Sequence, residues 1–586
     1  MSSCLIYFLK LPGAGKGSMR EKKFVSVISA CILAFVLLDC AGQVEPGGGP
    51  RDTVPPRVVS TVPDSNAIHI EQSSVELEFS EYVDRRSVEE SIFISPYVGD
   101  LEFDWSTTGV TIQFSQPLRK NTTYVVNVGT DVVDLREKNR MAAGFTLAFS
   151  TGDSIDRGYI GGRVFDEKPE GIMIFAYALK DLNPDTLNPG DLRPDYIMQT
   201  GKGGIFRLAN VAYGKYRLFA VRDQYRNLIY DKQIDQYGVT ISDVDLTAGE
   251  PRIEDVQFRL SQEDTTKPFV TNVQAVNRIL LRVRFSEALD TSSSVTPSVT
   301  LEDTVRRGPV KVSVVYVSCM SPSMAGVVTA TPLDSGGTYR IRIDGVRDTK
   351  GNPIDADNSA YVFTATGVPD TVPPSLTVQG IADSSRGYPP DRSIQIGFSE
   401  PVLEQPLARA ISLSDSSKMT MDAELRWIDA VDVMVIPRQP LQSKTWYRLS
   451  VAMSSLKDLQ GNGHADSTFI VRFETLDLRS TGVVEGMVTD ENHKQGKGRI
   501  YLTASSIDVK PVREQTIVLN GPGKFRMDRL VEGKYVLQGF RDADSSGSYS
   551  FGLPYPYIPS ERFAVYADTL KVRARWSVGG VMLRFK

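Results

Sequence analysis

Apolar and polar side chains alternate in short runs along most of this chain, and a period of two residues predicts β-strands with one buried face. Residues 75–79 read VELEF, and residues 281–285 (LRVRF) and 394–398 (IQIGF) end in the same phenylalanine. The 47 glycines and 33 prolines are scattered along the sequence, which favours many short strands joined by turns over long helices. The pattern predicts an all-β protein.

Three blocks of the chain carry the same landmarks in the same order, which indicates an internal repeat. Each block begins with Asp-Thr and a proline, reaches Phe-Ser-Glu 21 to 28 residues after that aspartate, and then has Pro-Leu with a tyrosine seven residues after the proline. A polar turn and a closing strand follow. The first aspartates are Asp52, Asp264 and Asp370, the glutamates are Glu81, Glu287 and Glu400, and the tyrosines are Tyr124, Tyr339 and Tyr447.

These landmarks resemble the bacterial Ig-like module of surface-layer proteins and many bacterial lipoproteins. The resemblance covers residues 53–152, 263–367 and 368–477. It implies a sandwich of two packed sheets in each block, as short alternating strands with regular turns also indicate.

A second repeat fills the remaining sequence. In residues 153–262 and in residues 478–586, a phenylalanine (Phe206, Phe525) precedes a glycine by eight positions, and an Arg-Asp pair follows. These blocks resemble the prealbumin-like, carboxypeptidase-regulatory type of β-sandwich, which implies a spacer or adhesion module. The predicted architecture is therefore a tandem array of five β-sandwich domains, Ig-like and prealbumin-like, after a signal peptide.

The N-terminal sequence predicts export. Residues 24–38 are apolar and follow a basic cluster, so residues 1–39 are typical of a signal peptide, with Met19 as the true start. The motif that ends at Cys40 resembles the lipobox of bacterial lipoproteins, which implies lipidation of Cys40 and a membrane as partner through that lipid. Residues 40–52 would be the lipidated cysteine and a flexible tether. The expectation is an outer-membrane lipoprotein, periplasmic or surface-facing; an ordinary secretory peptide or a signal anchor are the alternatives.

Charge and residue counts argue against several functions. The net charge is −5 without a basic stripe, so nucleic acid is not an expected partner. The three histidines, His69, His464 and His493, fall in three different predicted domains, so no histidine-based triad or zinc cluster forms within one domain. The sequence predicts a protein that is not an enzyme. An unrecognised hydrolase with convergent carboxylates is the alternative.

Acidic residues supply the candidate ligands. Asp542, Asp544 and Ser546, followed by Gly547, match the first half of a calcium loop, although Leu553 stands where the bidentate glutamate would be. The alternative is a solvated turn between strands. The repeated glutamates of Phe-Ser-Glu predict a structural role, such as accepting hydrogen bonds from backbone N–H groups, or else calcium ligation shared with an interdomain aspartate.

Aromatic residues and one thiol complete the candidates. Trp446 and the segment 549–557 with Tyr549, Tyr555 and Tyr557 are candidate contacts for an unidentified protein or glycan partner. Packing against its own sandwich is the default for the segment 549–557. Cys319 is predicted to be a buried structural cysteine. The function predicted is a lipid-anchored scaffold, spacer or adhesion protein of the cell envelope, shaped as a rod or a bent chain; a glycan-binding protein of a saccharide-uptake system is the alternative.

Overall fold

A computed structural model of the protein describes residues 52–180, 182–291, 297–491, 497–509 and 512–586. The predicted signal peptide, Met19, Cys40, most of the tether and His493 lie outside the described residues. Within these ranges, no helix combines the length and the apolar composition that a bilayer span requires.

The described chain folds almost entirely into strands, which confirms the predicted class of tandem β-sandwiches. Ten sheets pair into five modules, numbered here in chain order. Module 1 contains β1 (Val58–Val62), β2 (Ser74–Phe79), β3 (Ile92–Ser95), β4 (Leu101–Trp105), β5 (Gly109–Phe114), β6 (Thr123–Val128) and β7 (Phe145–Ser150). Module 2 contains β8 (Gly158–Phe165), β9 (Met173–Ala178), β10 (Tyr196–Gln199), β11 (Ile205–Val211), β12 (Gly214–Arg222), β13 (Gln236–Val239), β14 (Val244–Leu246), β15 (Arg252–Arg259) and β16 (Ser261–Gln262).

The remaining strands belong to modules 3, 4 and 5. Module 3 contains β17 (Val270–Ala275), β18 (Leu280–Phe285), β19 (Ser298–Asp303), β20 (Val312–Val317), β21 (Met324–Thr329), β22 (Thr338–Asp344) and β23 (Ala360–Thr364). Module 4 contains β24 (Leu376–Val378), β25 (Ser385–Tyr388), β26 (Ile394–Phe398), β27 (Ile411–Asp415), β28 (Thr420–Met421), β29 (Ala423–Trp427), β30 (Asp432–Pro437), β31 (Trp446–Ala452) and β32 (Thr468–Thr475). Module 5 contains β33 (Thr481–Asp490), β34 (Arg499–Ser506), β35 (Glu514–Leu519), β36 (Gly523–Val531), β37 (Gly533–Asp542), β38 (Phe563–Val565), β39 (Leu570–Val572) and β40 (Ser577–Phe585).

Helices are short in every described module. The α-helices are α1 (Arg85–Glu89) and α2 (Glu404–Ala408), and the 3₁₀ turns are Pro184–Thr186, Lys202–Gly204, Ala356–Asn358, Met453–Ser455 and Leu478–Ser480. The side chain of Asp84 caps α1 by accepting a hydrogen bond from the N–H of Ser87 (3.3 Å), one of the backbone groups that a helix start leaves without a partner.

Two strand orders recur in the array. Modules 1, 3 and 4 each have a four-stranded sheet, ordered β1-β2-β5-β4, β17-β18-β21-β20 and β24-β26-β30-β29, which faces a second sheet containing the tyrosine strand β6, β22 or β31. Modules 2 and 5 instead each have a three-stranded sheet, β11-β8-β15 and β36-β33-β40, in which the first strand of the module pairs in parallel with a strand near its end, β8 with β15 and β33 with β40.

Each module encloses its own hydrophobic core between its two sheets. The phenylalanine of Phe-Ser-Glu and the repeated tyrosine both lie in that core, as Phe79 and Tyr124 do in module 1. The hydroxyl of each tyrosine accepts a hydrogen bond from a backbone N–H five residues upstream, at 2.7 Å for Tyr124, 3.0 Å for Tyr339 and 2.8 Å for Tyr447. This pairing satisfies a polar group that burial would otherwise destabilise.

The tyrosine strand β6 departs from the expected alternation because all six of its residues are buried. Its outer face lies against module 2, where the side chain of Asn127 donates a hydrogen bond to the carbonyl of Ile197 (3.0 Å). The N–H of Ile197 in turn donates to the hydroxyl of Ser95 (3.1 Å). Contact between modules therefore covers a face that the sequence pattern alone leaves exposed.

Modules 2 and 5 contact each other although two modules separate them in sequence. Tyr557 packs edge-on against Phe219 of module 2 (6.2 Å between ring centroids). The hydroxyl of Tyr237 donates to the carbonyl of Gly552 (2.9 Å), and that of Ser560 donates to the carbonyl of Val239 (2.8 Å). Of the two shapes that the sequence left open, these contacts favour the bent chain and exclude a fully extended rod.

Candidate functional site

The serine of Phe-Ser-Glu fixes the start of modules 1, 3 and 4. We call residues 52–57, 264–269 and 370–375 the leading segments, because each precedes the first strand of its module. The hydroxyls of Ser80, Ser286 and Ser399 accept a hydrogen bond from a backbone N–H of the leading segment at 3.1, 3.1 and 3.0 Å. The predicted role of binding backbone N–H groups thus belongs to the serine.

An asparagine of the polar turn holds the same segment from the other side. The side-chain amides of Asn139, Asn352 and Asn462 donate to the carbonyl of the first aspartate of the block at 3.0, 2.8 and 3.2 Å. The aspartate of the turn accepts in its own loop, as Asp458 does from the N–H groups of Gln460 and Asn462 (both 2.8 Å). Each leading segment is therefore hydrogen-bonded to its module by this serine and this asparagine, and in module 4 the Nε2 of His464 also lies 2.7 Å from the carbonyl oxygen of Pro374.

The repeated glutamate lies between these two attachments and faces two aspartates. In module 4, one carboxylate oxygen from each of Asp370, Glu400 and Asp458 lies within 4.8 Å of the others. The same distance holds in module 3 for the equivalent residues, Asp264, Glu287 and Asp348. One carboxylate comes from the leading segment, one follows the core phenylalanine, and one belongs to the polar turn.

Burial and like charges disfavour ionisation of these glutamates. Burial, followed by the charges of Asp370 and Asp458, raises the pKa of Glu400 to about 7, against an opposing effect of Arg282. The pKa of Glu287 is raised by burial and its two aspartates, and that of Glu81 is raised in the same way by burial, Asp52 and Asp134. Such a cluster can take up a proton or bind a cation.

Glu400 is the most enclosed of the three glutamates. Glu400 is only 9% exposed. Within the described residues, its carboxylate forms no hydrogen bond and no ion pair. In module 3, the Oε1 atom of Glu287 is likewise buried without a hydrogen-bond partner in the described structure. The sequence repeat pointed to these glutamates, but it could not show that they lack partners.

The predicted calcium loop of module 5 is a hydrogen-bonded turn. Asp542 accepts from the N–H groups of Ser546 (2.9 Å) and Gly547 (3.2 Å), and Asp544 accepts from the hydroxyl of Ser550 (2.6 Å). Glu561 approaches Asp542 and Asp544 from a distant part of the chain, a carboxylate that loop spacing could not reveal. Calcium binding by Asp542, Asp544 and Ser546 stays a prediction.

The predicted aromatic contacts do not form one surface. Tyr549 packs among aromatic rings of its own module, with Phe563 at 5.7 Å between centroids. Tyr557 lies against module 2, with the guanidinium of Arg217 3.6 Å from its ring centroid. Trp446 is half-buried on β31, whereas Tyr555 is 42% exposed on a loop of module 5. Glycan or protein binding by these residues stays a prediction that a glycan array would test.

Cys319 lies at the contact between modules 3 and 4 and is half-buried. Its backbone N–H and the hydroxyl of Ser318 donate to one oxygen of Asp432, at 3.1 and 2.9 Å. Asp429 completes an acidic group beside the thiol, and burial raises the pKa of Cys319. A thiol held in its protonated form beside carboxylates is a poor nucleophile.

The family model described as "Bacterial Ig-like domain" matches residues 52–151, 264–365 and 370–475, more than half of the chain. This chain belongs to the bacterial Ig-like domain family. Modules 1, 3 and 4 are its Ig-like modules, and in modules 3 and 4 a carboxylate cluster lies where the leading segment meets the polar turn.

Several solved structures are similar over part of the chain. The N-terminal part of the bacterial S-layer protein SbsC is 17% identical, with 36% of this chain and 44% of that chain covered and a TM-score of 0.16. A biofilm-associated protein, in its BSP domain, is 10% identical, with 74% and 99% covered and a TM-score of 0.17. The native α2-macroglobulin of E. coli is 9% identical, with 83% and 42% covered and a TM-score of 0.13. No curated protein matches the sequence.

Proposed function

We propose that this protein is an exported, lipid-anchored envelope protein whose Ig-like and prealbumin-like modules form a non-enzymatic scaffold, spacer or adhesion unit. Membership of the bacterial Ig-like domain family supports the modular part of this proposal. The residues that repeat between modules support it further, because the serine, asparagine and tyrosine form structural hydrogen bonds inside their modules.

The observation that carries the proposal is the set of direct contacts between consecutive modules. Asn127 bonds module 1 to module 2, the side chain of Lys232 pairs with Glu263 at the start of module 3 (2.9 Å), and Ser318 bonds module 3 to module 4. Arg529 of module 5 pairs with Asp391 of module 4 (2.9 Å). Modules joined by such contacts keep a defined geometry, which a spacer or scaffold needs.

The lipid anchor rests on the N-terminal sequence, in which an apolar run and a basic cluster precede Cys40. In this proposal, the acyl chains on Cys40 attach the protein to the membrane. We expect the wild-type protein to sediment with membranes and the Cys40→Ser variant to become soluble.

Mass spectrometry of the N-terminal peptide would show whether Cys40 carries acyl chains. Cys319→Ser is the matched control, and it should leave membrane attachment unchanged. A Cys40→Ser protein that remains in the membrane fraction, with an intact signal sequence, would indicate the signal-anchor alternative instead.

A further inference from the structure

The carboxylate clusters of Ig-like modules 3 and 4 each contain a glutamate that lacks a hydrogen-bond partner for at least one oxygen in the described structure. Surface carboxylates usually remain hydrated, whereas a buried one is normally paired or hydrogen-bonded. Glu400 is nine-tenths buried and, in the part of the chain that the structure describes, has neither kind of partner. It faces two further carboxylates, so its surroundings increase the unfavourable charge.

We propose that Asp370, Glu400 and Asp458 bind one calcium ion and that Asp264, Glu287 and Asp348 bind a second. A divalent cation neutralises the repulsion and supplies the missing partner of each glutamate. All six ligands are carboxylates, the hard oxygen donors that Ca²⁺ prefers.

The spacing of the oxygens suits a single ion in each cluster. Oxygens within 4.8 Å of one another can all touch one ion at Ca–O distances of roughly 2.3–2.6 Å. The hydrogen bonds already present do not block this arrangement. The oxygens of Asp458 accept from backbone N–H groups and from the side chain of Asn462, and a carboxylate oxygen has a second lone pair.

Other contacts at the module 4 cluster are compatible with a cation. Asp370 interacts with the N–H of Val372 and with the side chain of Asn277 of module 3. The guanidinium of Arg282, also from module 3, forms no ion pair of 4 Å or less with Glu400 among the described residues. Its positive charge nevertheless lowers the pKa of Glu400, against the larger effects that raise it. The second cluster also combines one glutamate with two aspartates. The negative charges that act on Glu287 are those of Asp264 and Asp348.

The position of the ligands gives the ion a structural consequence. Each cluster joins a leading segment to a polar turn, the two elements already connected by Asn352 or Asn462. A bound ion adds a further attachment at the point where one module follows another. Calcium should therefore stabilise modules 3 and 4 and restrict motion at their starts.

Calorimetric titration of CaCl₂ into the full protein, after removal of cations with EDTA, tests this proposal directly. We expect about two sites per chain with dissociation constants on the order of 10⁻⁴–10⁻³ M, the range of extracellular modules. The Glu287→Gln/Glu400→Gln double variant should bind at least ten-fold more weakly. The matched control is Glu424→Gln, which makes the same change on an exposed residue of module 4 and should bind normally.

Thermal unfolding separates loss of the site from loss of folding. The double variant should melt at or above the wild-type temperature in EDTA, because it removes like-charge repulsion, and should gain no stability from calcium. Undiminished calcium binding by the double variant, or its loss in Asp544→Asn instead, would overturn the proposal. An equal melting shift with MgCl₂ at the same concentration would overturn the assignment to calcium.

Discussion

At the scale of single residues, the buried acid pair Asp429 and Asp432 controls a contact between two Ig-like modules. Asp432 is fully buried, and its Oδ1 and the Oδ2 of Asp429 have no hydrogen-bond partner in the described structure. Burial, and then the charge of Asp432, raise the pKa of Asp429 to about 6. A proton on Asp429 lets one carboxyl donate to the other, next to Ser318 and the thiol of Cys319.

This acid pair predicts a stability that falls as the pH rises. The folded pKa of Asp429 lies above its unfolded value of about 3.9, so the stabilisation is complete below pH 4 and is lost as the pH rises through about 6. Asp429→Asn keeps a donor toward Asp432 and removes the titration. Between pH 5 and 8 we expect the melting temperature of wild type to fall relative to that of the variant. Because solvent screens the partly exposed carboxyl, the corresponding loss in the free energy of unfolding should be about 1 kcal/mol. If the melting temperatures of wild type and Asp429→Asn change equally with pH across this range, the two carboxyls do not share a proton.

A second residue-scale prediction concerns the repeated tyrosine. Tyr447→Phe keeps the ring in the core of module 4 but leaves the N–H of Gln442 without its acceptor. Loss of one buried hydrogen bond should destabilise the module by about 1–2 kcal/mol. Denaturant unfolding measures this, and the same substitution at exposed Tyr555 should change the free energy of unfolding by less than about 0.5 kcal/mol.

At the scale of elements, alternation located the strands well wherever one face meets the module's own core. The predicted strand 394–398 has the bounds of β26, Ile394–Phe398, and the other predicted strands differ by one or two residues. The pattern failed to describe β6, whose second face is covered by module 2. Alternation reports a single buried face, so it cannot anticipate a surface that another module buries.

The candidate site was predicted in part for a related physical reason. Repetition singled out Glu400, Asp370 and the polar turn at Asp458, and it left backbone binding and calcium ligation open for the glutamate. Backbone binding belongs to Ser399, because its short hydroxyl reaches the adjacent leading segment while the longer carboxylate points past it toward two aspartates. Sequence distance also hid Glu561 beside Asp542, and a hairpin return is not visible in loop spacing.

The attachment of the leading segment by the asparagine gives a prediction at this scale. Asn462→Ala removes the amide that bonds to the carbonyl of Asp370 and to the side chain of Asp458. We expect faster amide hydrogen exchange over residues 370–376 and a loss of about 1–2 kcal/mol in module stability. Asn358→Ala, which removes a hydrogen bond from an exposed 3₁₀ turn of module 3, is the control. Unchanged exchange over residues 370–376 in Asn462→Ala would show that the remaining contacts, from Ser399 and His464, hold the segment without the asparagine.

At the scale of the whole molecule, the contact between modules 2 and 5 decides the shape. The outer face of module 2 has its own apolar cluster, which includes Phe175, Phe219 and Tyr237, and Leu553 and Tyr557 of module 5 pack against it. From the sequence, the aromatic segment is a candidate contact for a glycan or protein partner, with packing against its own sandwich as the default. Its partner here is a distant module of the same chain, which a local pattern cannot specify because the facing residues lie more than 300 positions away.

Removing the central ring of this contact should open the chain without unfolding its modules. Tyr557 combines a ring contact with Phe219 and a cation–π contact with Arg217, and aromatic residues at such positions carry a large share of interface energy, about 2 kcal/mol or more. Arg217 remains paired with Asp243 (2.8 Å) in the variant, so no buried charge is left without a partner. Tyr557→Ala should therefore increase the radius of gyration in small-angle X-ray scattering while the circular dichroism spectrum stays that of wild type.

The neighbouring Tyr555→Ala provides the control, because Tyr555 belongs to the same loop but is exposed to solvent. If Tyr557→Ala scatters like wild type and like this control, the other contacts between the two modules, such as the ring pair of Phe165 with Phe563 and the ion pair of Lys586 with Asp255, suffice to hold them together. If it opens, the bent shape requires the Tyr557 contact, and the distance that the scaffold spans from its proposed anchor can change by breaking that contact while every module core stays intact. Adding Tyr237→Phe, which removes the hydrogen bond to Gly552, should then extend the chain further, since the two contacts act on the same interface.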